Sequence, residues 1–428
     1  MSMSTMSALA TSTSVPERSI GAESKLDVSL DVFEGPEKKL EVFFSCPSSP
    51  AGFRQFDHTI WSPILAEAHC SILHCQPGAH FDSYLLSESS LFVYPSRVIL
   101  KTCGTTTLIL VLPKLLALAE RLGARLEHVH YSHLRYKFPT LQVHPHTSFR
   151  TERRCLAEML EGRIAAVRSR VIGAQSGTSW YALCTEALPP LEPSLEPPLK
   201  KKRELLDTAG ASPTAPYPYD DLDNIFELSM ERLPKRVCDL FFEAAPVHQG
   251  RRGRALARSM TEASGIGALL PAAAVIDDWA FEPCGYSMNA SHEQHYYTIH
   301  ITPEFAFSYA SFETNDPSYR KPEHVAAIVR VFSPALLTVT LTTRTGLGLE
   351  APCELPGYQL DSLPCTSREH HTLTSSVSVC CITFEKDAGA ERSAVKGGES
   401  TVKATHSAEE GSEASSDDTF EIGEVAEL

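Results

Sequence analysis

Hydrophobic and polar positions alternate at Val28, Leu30 and Val32, which predicts a half-buried strand. Glu34-Gly35-Pro36-Glu37 reads as a turn, after which Leu40, Val42 and Phe44 resume the alternation. Arg97 to Cys103 predicts another strand. Beyond it Leu108, Leu112, Leu115, Leu118 and Leu122 recur at helical spacing. Pro113 falls inside that set, so the helix is expected to start there, with the preceding residues extended and Gly123 as its cap. Ile225 to Phe242 reads as a helix, Tyr296 to Phe312 as strands, Glu323 to Phe332 as a helix, and Leu336 to Thr342 and Ser376 to Phe384 as strands. Helices and strands are interleaved without a fixed-period repeat, so periodicity gives a mixed α and β class and nothing finer.

Composition changes this picture at the ends and in the middle. The 428 residues are 43% hydrophobic, enough for a sizeable core. From Glu385 to Leu428 there are 12 acidic and 4 basic residues, so this stretch carries −8 of the total −15. It reads as a disordered acidic tail, 386–428. Residues 1–27, rich at first in Ser, Thr and Met, read as a second tail, leaving one domain over 28–385. Pro189 to Pro218 is proline-rich and holds Lys200-Lys201-Lys202-Arg203, which reads as a flexible surface insertion. The remainder has no basic footprint for nucleic acid, and no apolar run is long enough to span a membrane. The 12 cysteines have no tidy spacing, which points to reduced thiols in the cytosol rather than a disulfide framework. Neither a P-loop nor a dinucleotide fingerprint is present. His144-Pro145-His146 lacks further spaced ligands, so no metal is expected.

Three segments hold candidate chemistry. Tyr84 to Val93 has apolar flanks around Ser87-Glu88-Ser89-Ser90, which on its own reads as a polar turn. In Lys101-Thr102-Cys103-Gly104-Thr105-Thr106 the cysteine is either a thiol activated at a helix start or a small buried packing residue. Ser287, in Pro283-Cys284-Gly285-Tyr286-Ser287-Met288-Asn289, and His300, in Ile299-His300-Ile301-Thr302-Pro303-Glu304, could form an acid/base pair, although a lone strand histidine is more often structural.

Taken together, and with Phe33-Glu34-Gly35-Pro36-Glu37-Lys38, these segments in this order closely resemble eukaryotic S-adenosylmethionine decarboxylase from about Val32 to Phe384. The resemblance implies a four-layer αββα sandwich, two antiparallel sheets packed face to face with helices outside. It implies self-cleavage between Glu88 and Ser89, giving chains 1–88 and 89–428, with Ser89 becoming a pyruvoyl group. Neither metal nor pyridoxal phosphate is implied. His300 would remove the Ser89 α-proton while Ser287 holds the carbonyl. The pyruvoyl ketone would form a Schiff base with S-adenosylmethionine, and Cys103 would protonate carbon after CO2 leaves. Phe33 and Phe281 would flank the adenine, Leu86 and Glu88 would meet its edge, and Glu304 would bind the ribose. Glu34 and Glu37 match acidic residues needed for activity, with Glu34 expected to line the site.

In animal members a buried acidic site binds putrescine as an effector, and Asp223, Glu227 and Glu313 fall at matching positions. Lys39 and His133 stand where animal members are not basic. Plant-type members place cations in this region and do without the diamine, so weak or absent putrescine stimulation is expected. Animal members are homodimers and plant-type members can be monomers, which leaves the oligomeric state open. A catalytically dead paralogue that regulates an active subunit is the alternative. Retention of Ser89, Cys103, Ser287 and His300 together argues against it.

Overall fold

The computed structural model describes residues 32–45, 47–173, 178–188, 224–344 and 365–386. The first predicted strand at Val28, the insertion at 189–218, both tails and Asp223 lie outside the described residues. The first sheet holds β1 (Lys38–Phe44), β2 (Ile72–Pro77), β3 (Asp82–Leu86), β4 (Ser89–Val93), β5 (Arg97–Thr102), β6 (Leu126–Leu134), β7 (Ile164–Ile172) and β8 (Trp180–Ala187). The second holds β9 (Ile225–Glu231), β10 (Val275–Ala280), β11 (Tyr286–His292), β12 (His295–Thr302), β13 (Tyr309–Thr314), β14 (Leu336–Arg344), β15 (Cys365–Thr374) and β16 (Val377–Glu385). Neighbouring strands pair antiparallel throughout. The strand orders are β2-β3-β4-β5-β1-β6-β8-β7 and β10-β11-β12-β13-β9-β14-β16-β15. The second is the first with every number raised by eight, so one winding is used twice.

Each sheet buries an apolar face under helices. On β1, Leu40, Val42 and Phe44 pack with Trp61 and Ile64 of α1 (His58–Leu65), Leu115 of α2 (Leu112–Arg121) and Leu156 of α3 (Phe149–Met159). On the second sheet, Phe226, Leu228 and Met230 pack with Leu256 and Met260 of helix Gly253–Ser264, and with Val325 and Ile328 of helix Pro322–Phe332. The architecture is therefore a four-layer α/β sandwich. Because successive strand side chains point to opposite faces, the alternate positions Glu37, Lys39 and Glu41 meet the other sheet. This middle layer is apolar in two patches. One joins Phe81, Phe92 and Ile99 to Tyr296; the other joins Leu134, Trp180 and Cys184 to Val379 and Cys381. Between the patches the buried groups are polar.

At the centre, Lys39 lies opposite Lys101 on the β1–β5 ladder and Glu227 lies opposite Glu313 on the β9–β13 ladder. Either like-charge pair alone opposes sheet formation. Here they face each other. Lys39 Nζ donates to Glu227 Oε2 (3.1 Å) and Glu313 Oε2 (3.0 Å), and Lys101 Nζ to Glu227 Oε1 (3.1 Å) and Glu313 Oε2 (2.9 Å). Tyr296 donates to the remaining Glu313 oxygen at 2.6 Å. Burial alone would lower both lysines, but Glu227 and Glu313 outweigh it and hold both pKa values above the usual one.

Several expectations meet this structure directly. The helix starts at Leu112 with Pro113 in its first turn, and Gly123 follows at φ +67°. Residues Leu108–Val111 are a 3-10 turn rather than extended. Ile225–Glu231 is strand β9, not a helix; only Lys235–Cys238 forms an α-helical turn. Alternation was present there: Phe226, Leu228 and Met230 face the outer core, while Glu227 sits in the polar middle layer. Buried carboxylates made that face look like solvent. The strands at 296–312, 336–342 and 376–384 and the helix at 323–332 are all present. No described helix is long and apolar enough to cross a membrane.

Replacing Lys101 by Met strands two buried carboxylates on one ammonium. Chemical denaturation should show a stability loss of about 3–5 kcal/mol, and an unchanged midpoint would contradict the charge-quartet account.

Candidate functional site

The segment Tyr84 to Val93 is a hairpin: Leu86 of β3 pairs with Ser89 of β4, leaving Ser87-Glu88 as a two-residue turn. The polar-turn reading is thus correct, and the turn is built unusually. Ser89 has φ +136°, a conformation that costs a non-glycine residue on the order of 1–3 kcal/mol. Its hydroxyl is buried and makes no hydrogen bond among the described residues. The Glu88 carbonyl accepts from Cys103 N–H at 2.9 Å and lies 3.3 Å from Cys103 Sγ. Two donors therefore aim at the carbonyl of the Glu88–Ser89 bond.

Cys103 follows β5 directly. No helix begins at Gly104, so the thiol is not at a helix N-terminus. Burial, and then Glu88, push its pKa well above 9, so it stays a protonated thiol. Gly104 N–H donates to Glu34 O (2.8 Å), and Gly104 O accepts from Lys38 Nζ (2.8 Å). A Cβ on Gly104, at φ +63°, would sit 3.2 Å from Glu88 Oε2 and 3.3 Å from the Phe33 ring, so the tight approach requires glycine. Lys38 also reaches Gln142 Oε1 at 3.3 Å, and burial brings its pKa down to about 8.

The second sheet supplies the facing groups. Ser287 on β11 is paired in register with His300 on β12, and Ser287 Oγ lies 2.8 Å from His300 Nδ1. His300 Nε2 lies 3.0 Å from Ser90 Oγ and 2.8 Å from Thr298 Oγ1, so the imidazole bridges from β12 to the β3–β4 hairpin. Burial, reinforced by Lys101, brings the His300 pKa down to about 3, which keeps the ring neutral. Lys101 thereby connects the charge quartet to this histidine.

The structure thus brings Glu88, Cys103 and Phe33 together beside Ser89, while the Ser287–His300 pair on the second sheet reaches this hairpin through Ser90. Leu86 is fully buried at the end of β3. Phe281 follows β10 and donates its N–H to Gly285 O at 3.0 Å. Glu304 follows β12, and its Oε2 is buried without a partner among the described residues. Burial, and then Glu304, push the neighbouring Cys284 thiol up to about 12. The Glu34 oxygens accept from the backbone N–H groups of Lys137 (2.8 Å) and Phe138 (2.7 Å). Glu37 accepts from Tyr309 (2.9 Å) and Ser311 (2.6 Å) of β13, which ties the two sheets beside the site.

Lys39, Glu227 and Glu313 form one cluster, but His133 is not part of it. Two strand positions of opposite parity cannot share a face. His133 points to the helix side, where Nε2 lies 3.0 Å from Glu152 of α3. The histidine that faces the quartet is His130, brought down to about 3 by burial and then by Lys39. Ser90, Asn289 and Thr298 were not among the candidates. Two of them had a signal: Asn289 and Thr298 lie two residues from Ser287 and His300, hence on the same strand face.

A family model described as adenosylmethionine decarboxylase matches residues 30–385. The chain belongs to that family. An S-adenosylmethionine decarboxylase proenzyme of Dictyostelium discoideum is 35% identical over 342 residues, covering 77% of this chain and 79% of the relative. One from Zea mays is 34% identical (77% and 76% covered), and one from Ipomoea nil 32% identical (84% and 92% covered). The solved Trypanosoma brucei AdoMetDC-delta26 monomer is similar at TM-score 0.47 and 22% identity, over 70% of this chain and 99% of that one, too slight a likeness to carry weight. Family membership makes the chain a decarboxylase, with the facing Ser89 and His300 layers as its candidate centre.

Four buried histidines fold with lowered pKa values: His128, His130 and His300 at about 3 and His146 at about 4, burial being the largest cause in each. Each adds stability that is complete above the unfolded value of about 6.5 and is lost as pH falls towards the folded one. Replacing His300 by Gln should make unfolding free energy fall less steeply between pH 6 and pH 4, by about 1.4 kcal/mol per pH unit. Parallel curves for the two proteins would contradict the assignment.

Proposed function

We propose that the chain cleaves itself between Glu88 and Ser89 and, through the pyruvoyl group so formed, converts S-adenosyl-L-methionine to decarboxylated S-adenosylmethionine and CO2. The product is the aminopropyl donor for spermidine and spermine. The observation that carries this reading is the Glu88–Ser89 turn. A strained serine with an unengaged hydroxyl adjoins a carbonyl held by two donors, opposite a neutral imidazole.

In self-processing, the Ser89 hydroxyl adds to the Glu88 carbonyl. Cys103 N–H and Sγ–H stabilise the oxyanion, as donors aimed at developing charge do. Collapse with loss of the Ser89 nitrogen gives an ester. His300 then takes the Ser89 α-proton while the C–O bond breaks and its electron pair leaves on the Glu88 carboxylate. The dehydroalanine left behind hydrolyses to a pyruvoyl group with release of ammonia. Relief of the φ +136° backbone favours the forward direction.

The residues fit such a group: a buried serine precursor next to a two-residue hairpin turn, with a protonated thiol against the adjoining carbonyl. The pyruvoyl carbonyl supplies an electron sink when CO2 departs. Cys103 holds the proton delivered to carbon, a role suited to a thiol kept protonated by burial. Phe33 and Phe281 flank the adenine, where ring faces also favour a nearby sulfonium cation. The partnerless Glu304 Oε2 accepts from the ribose hydroxyls, and the backbone of Leu86 and Glu88 meets the adenine edge. Glu34 lines the site with its carboxylate anchored by the 137–138 backbone N–H groups. The dead-paralogue alternative would leave this machinery without use.

Lys39 takes the place of a diamine, because its ammonium already satisfies Glu227 and Glu313. Release of CO2 from carboxyl-labelled substrate should be seen with the full chain, be abolished by Ser89→Ala and fall strongly in Cys103→Ala. Full activity in Ser89→Ala would overturn the function. Putrescine should not stimulate the unmodified enzyme but should stimulate Lys39→Leu. Several-fold stimulation of the unmodified enzyme would sink the Lys39 reading.

A further inference from the structure

Asn289 is fully buried on β11 and reaches across to both strands of the cleavage hairpin. Its Nδ2 lies 3.1 Å from Tyr84 O on β3, and its Oδ1 lies 2.6 Å from Ser90 Oγ on β4. A backbone carbonyl only accepts, so the amide nitrogen must face Tyr84 and the amide oxygen must face Ser90. That oxygen also only accepts, so Ser90 spends its one hydroxyl proton on Asn289.

The consequence passes to His300. Ser90 Oγ, with its proton committed, can offer the imidazole only lone pairs. A proton on Nε2 makes both its contacts attractive, at 3.0 Å to Ser90 Oγ and 2.8 Å to Thr298 Oγ1; if Thr298 donated to Nε2 instead, Ser90 Oγ would press a lone pair against the ring's lone pair. Thr298 can accept from Nε2–H and direct its own hydroxyl at Ser90, 3.3 Å away. A neutral imidazole has one N–H, so its lone pair is on Nδ1, and the Ser287 hydroxyl at 2.8 Å donates to it.

We propose that Asn289, acting through Ser90, is a positioning residue that fixes His300 as the Nε2–H tautomer and makes Nδ1, on the Ser287 side, the basic atom of the processing step. This rests on the reading of His300 as the base. The Ser287 hydroxyl turns its proton away from Nδ1, the Ser89 α-proton ends there, and the electron pair of the breaking C–O bond leaves with the Glu88 carboxylate. Without the Asn289 acceptor, Ser90 is free to donate to Nε2. The ring would then turn its N–H towards Ser287 and lose its lone pair where it is needed.

The test uses the uncleaved full-length Ser89→Ala chain with ring-15N-labelled histidine. His300 is identified by the signals missing from the Ser89→Ala/His300→Gln double variant. At pH 7 its Nε2 should resonate as N–H and its Nδ1 as a lone-pair nitrogen. The reverse assignment, or an imidazolium, overturns the inference. Adding Asn289→Ala should abolish the single tautomer, and in the Ser89 chain it should slow cleavage by at least about tenfold. Asn289→Asp should cleave faster as pH falls, because the protonated carboxyl restores both hydrogen bonds; a flat profile at the wild-type rate overturns it. If Asn289→Ala does not fold, the Ser89→Ala spectrum alone decides. A wild-type chain that never cleaves overturns the proposed function, whereas a cleaving chain with the reversed tautomer overturns this inference alone.

Discussion

Two lysines side by side on one sheet and two glutamates side by side on the other can be buried only if the sheets meet. Separated, each ladder carries a like-charge pair at its centre. Together, four hydrogen bonds of 2.9–3.1 Å neutralise both. Removing any one member leaves a buried charge unbalanced, which is far more costly than replacing the whole set by apolar groups. The quartet therefore fixes which face of each sheet is inner and in what register they stack. Once that register is set, β3, β4 and the end of β5 lie against β11 and β12, and Ser90 comes within reach of His300 and Asn289.

The repeated winding explains why the site is split between halves. Each half has its own helix-covered apolar core. The polar middle layer is what neither half can bury alone. The candidate groups gather around that layer: the first half brings the Glu88–Ser89 turn, the thiol and the lysines, and the second brings the serine, imidazole and carboxylates. Desolvation there neutralises His300 and keeps Cys103 protonated, the states the proposed acid and base roles need.

Much of this was legible in the sequence, and what was not has a common cause. Outer-face periodicity located the strands at 296–312, 336–342 and 376–384 and the helices ending near 122 and 332. It failed at 225–242, where Glu227 and its neighbours imitate a solvated face while lying in the middle layer. The winding repeat left no sequence period because loop lengths differ and the central inner positions are lysines in one half and glutamates in the other. Ser89, Cys103, Ser287 and His300 emerged from ordered motifs, not from local pattern. His133 was grouped with Lys39 because both are basic, whereas the pleat assigns that face to His130. Asn289 and Thr298 required the facing strand, since their meaning lies in contacts 199 and 208 residues away along the chain.

The central claim is that the strained Glu88–Ser89 bond is the one this fold is built to break. Its most direct test is a denaturing gel of purified protein with intact-mass analysis of every band. The account predicts two chains, 1–88 and 89–428, with the larger lacking a free amino terminus. A single full-length chain under all conditions would contradict it.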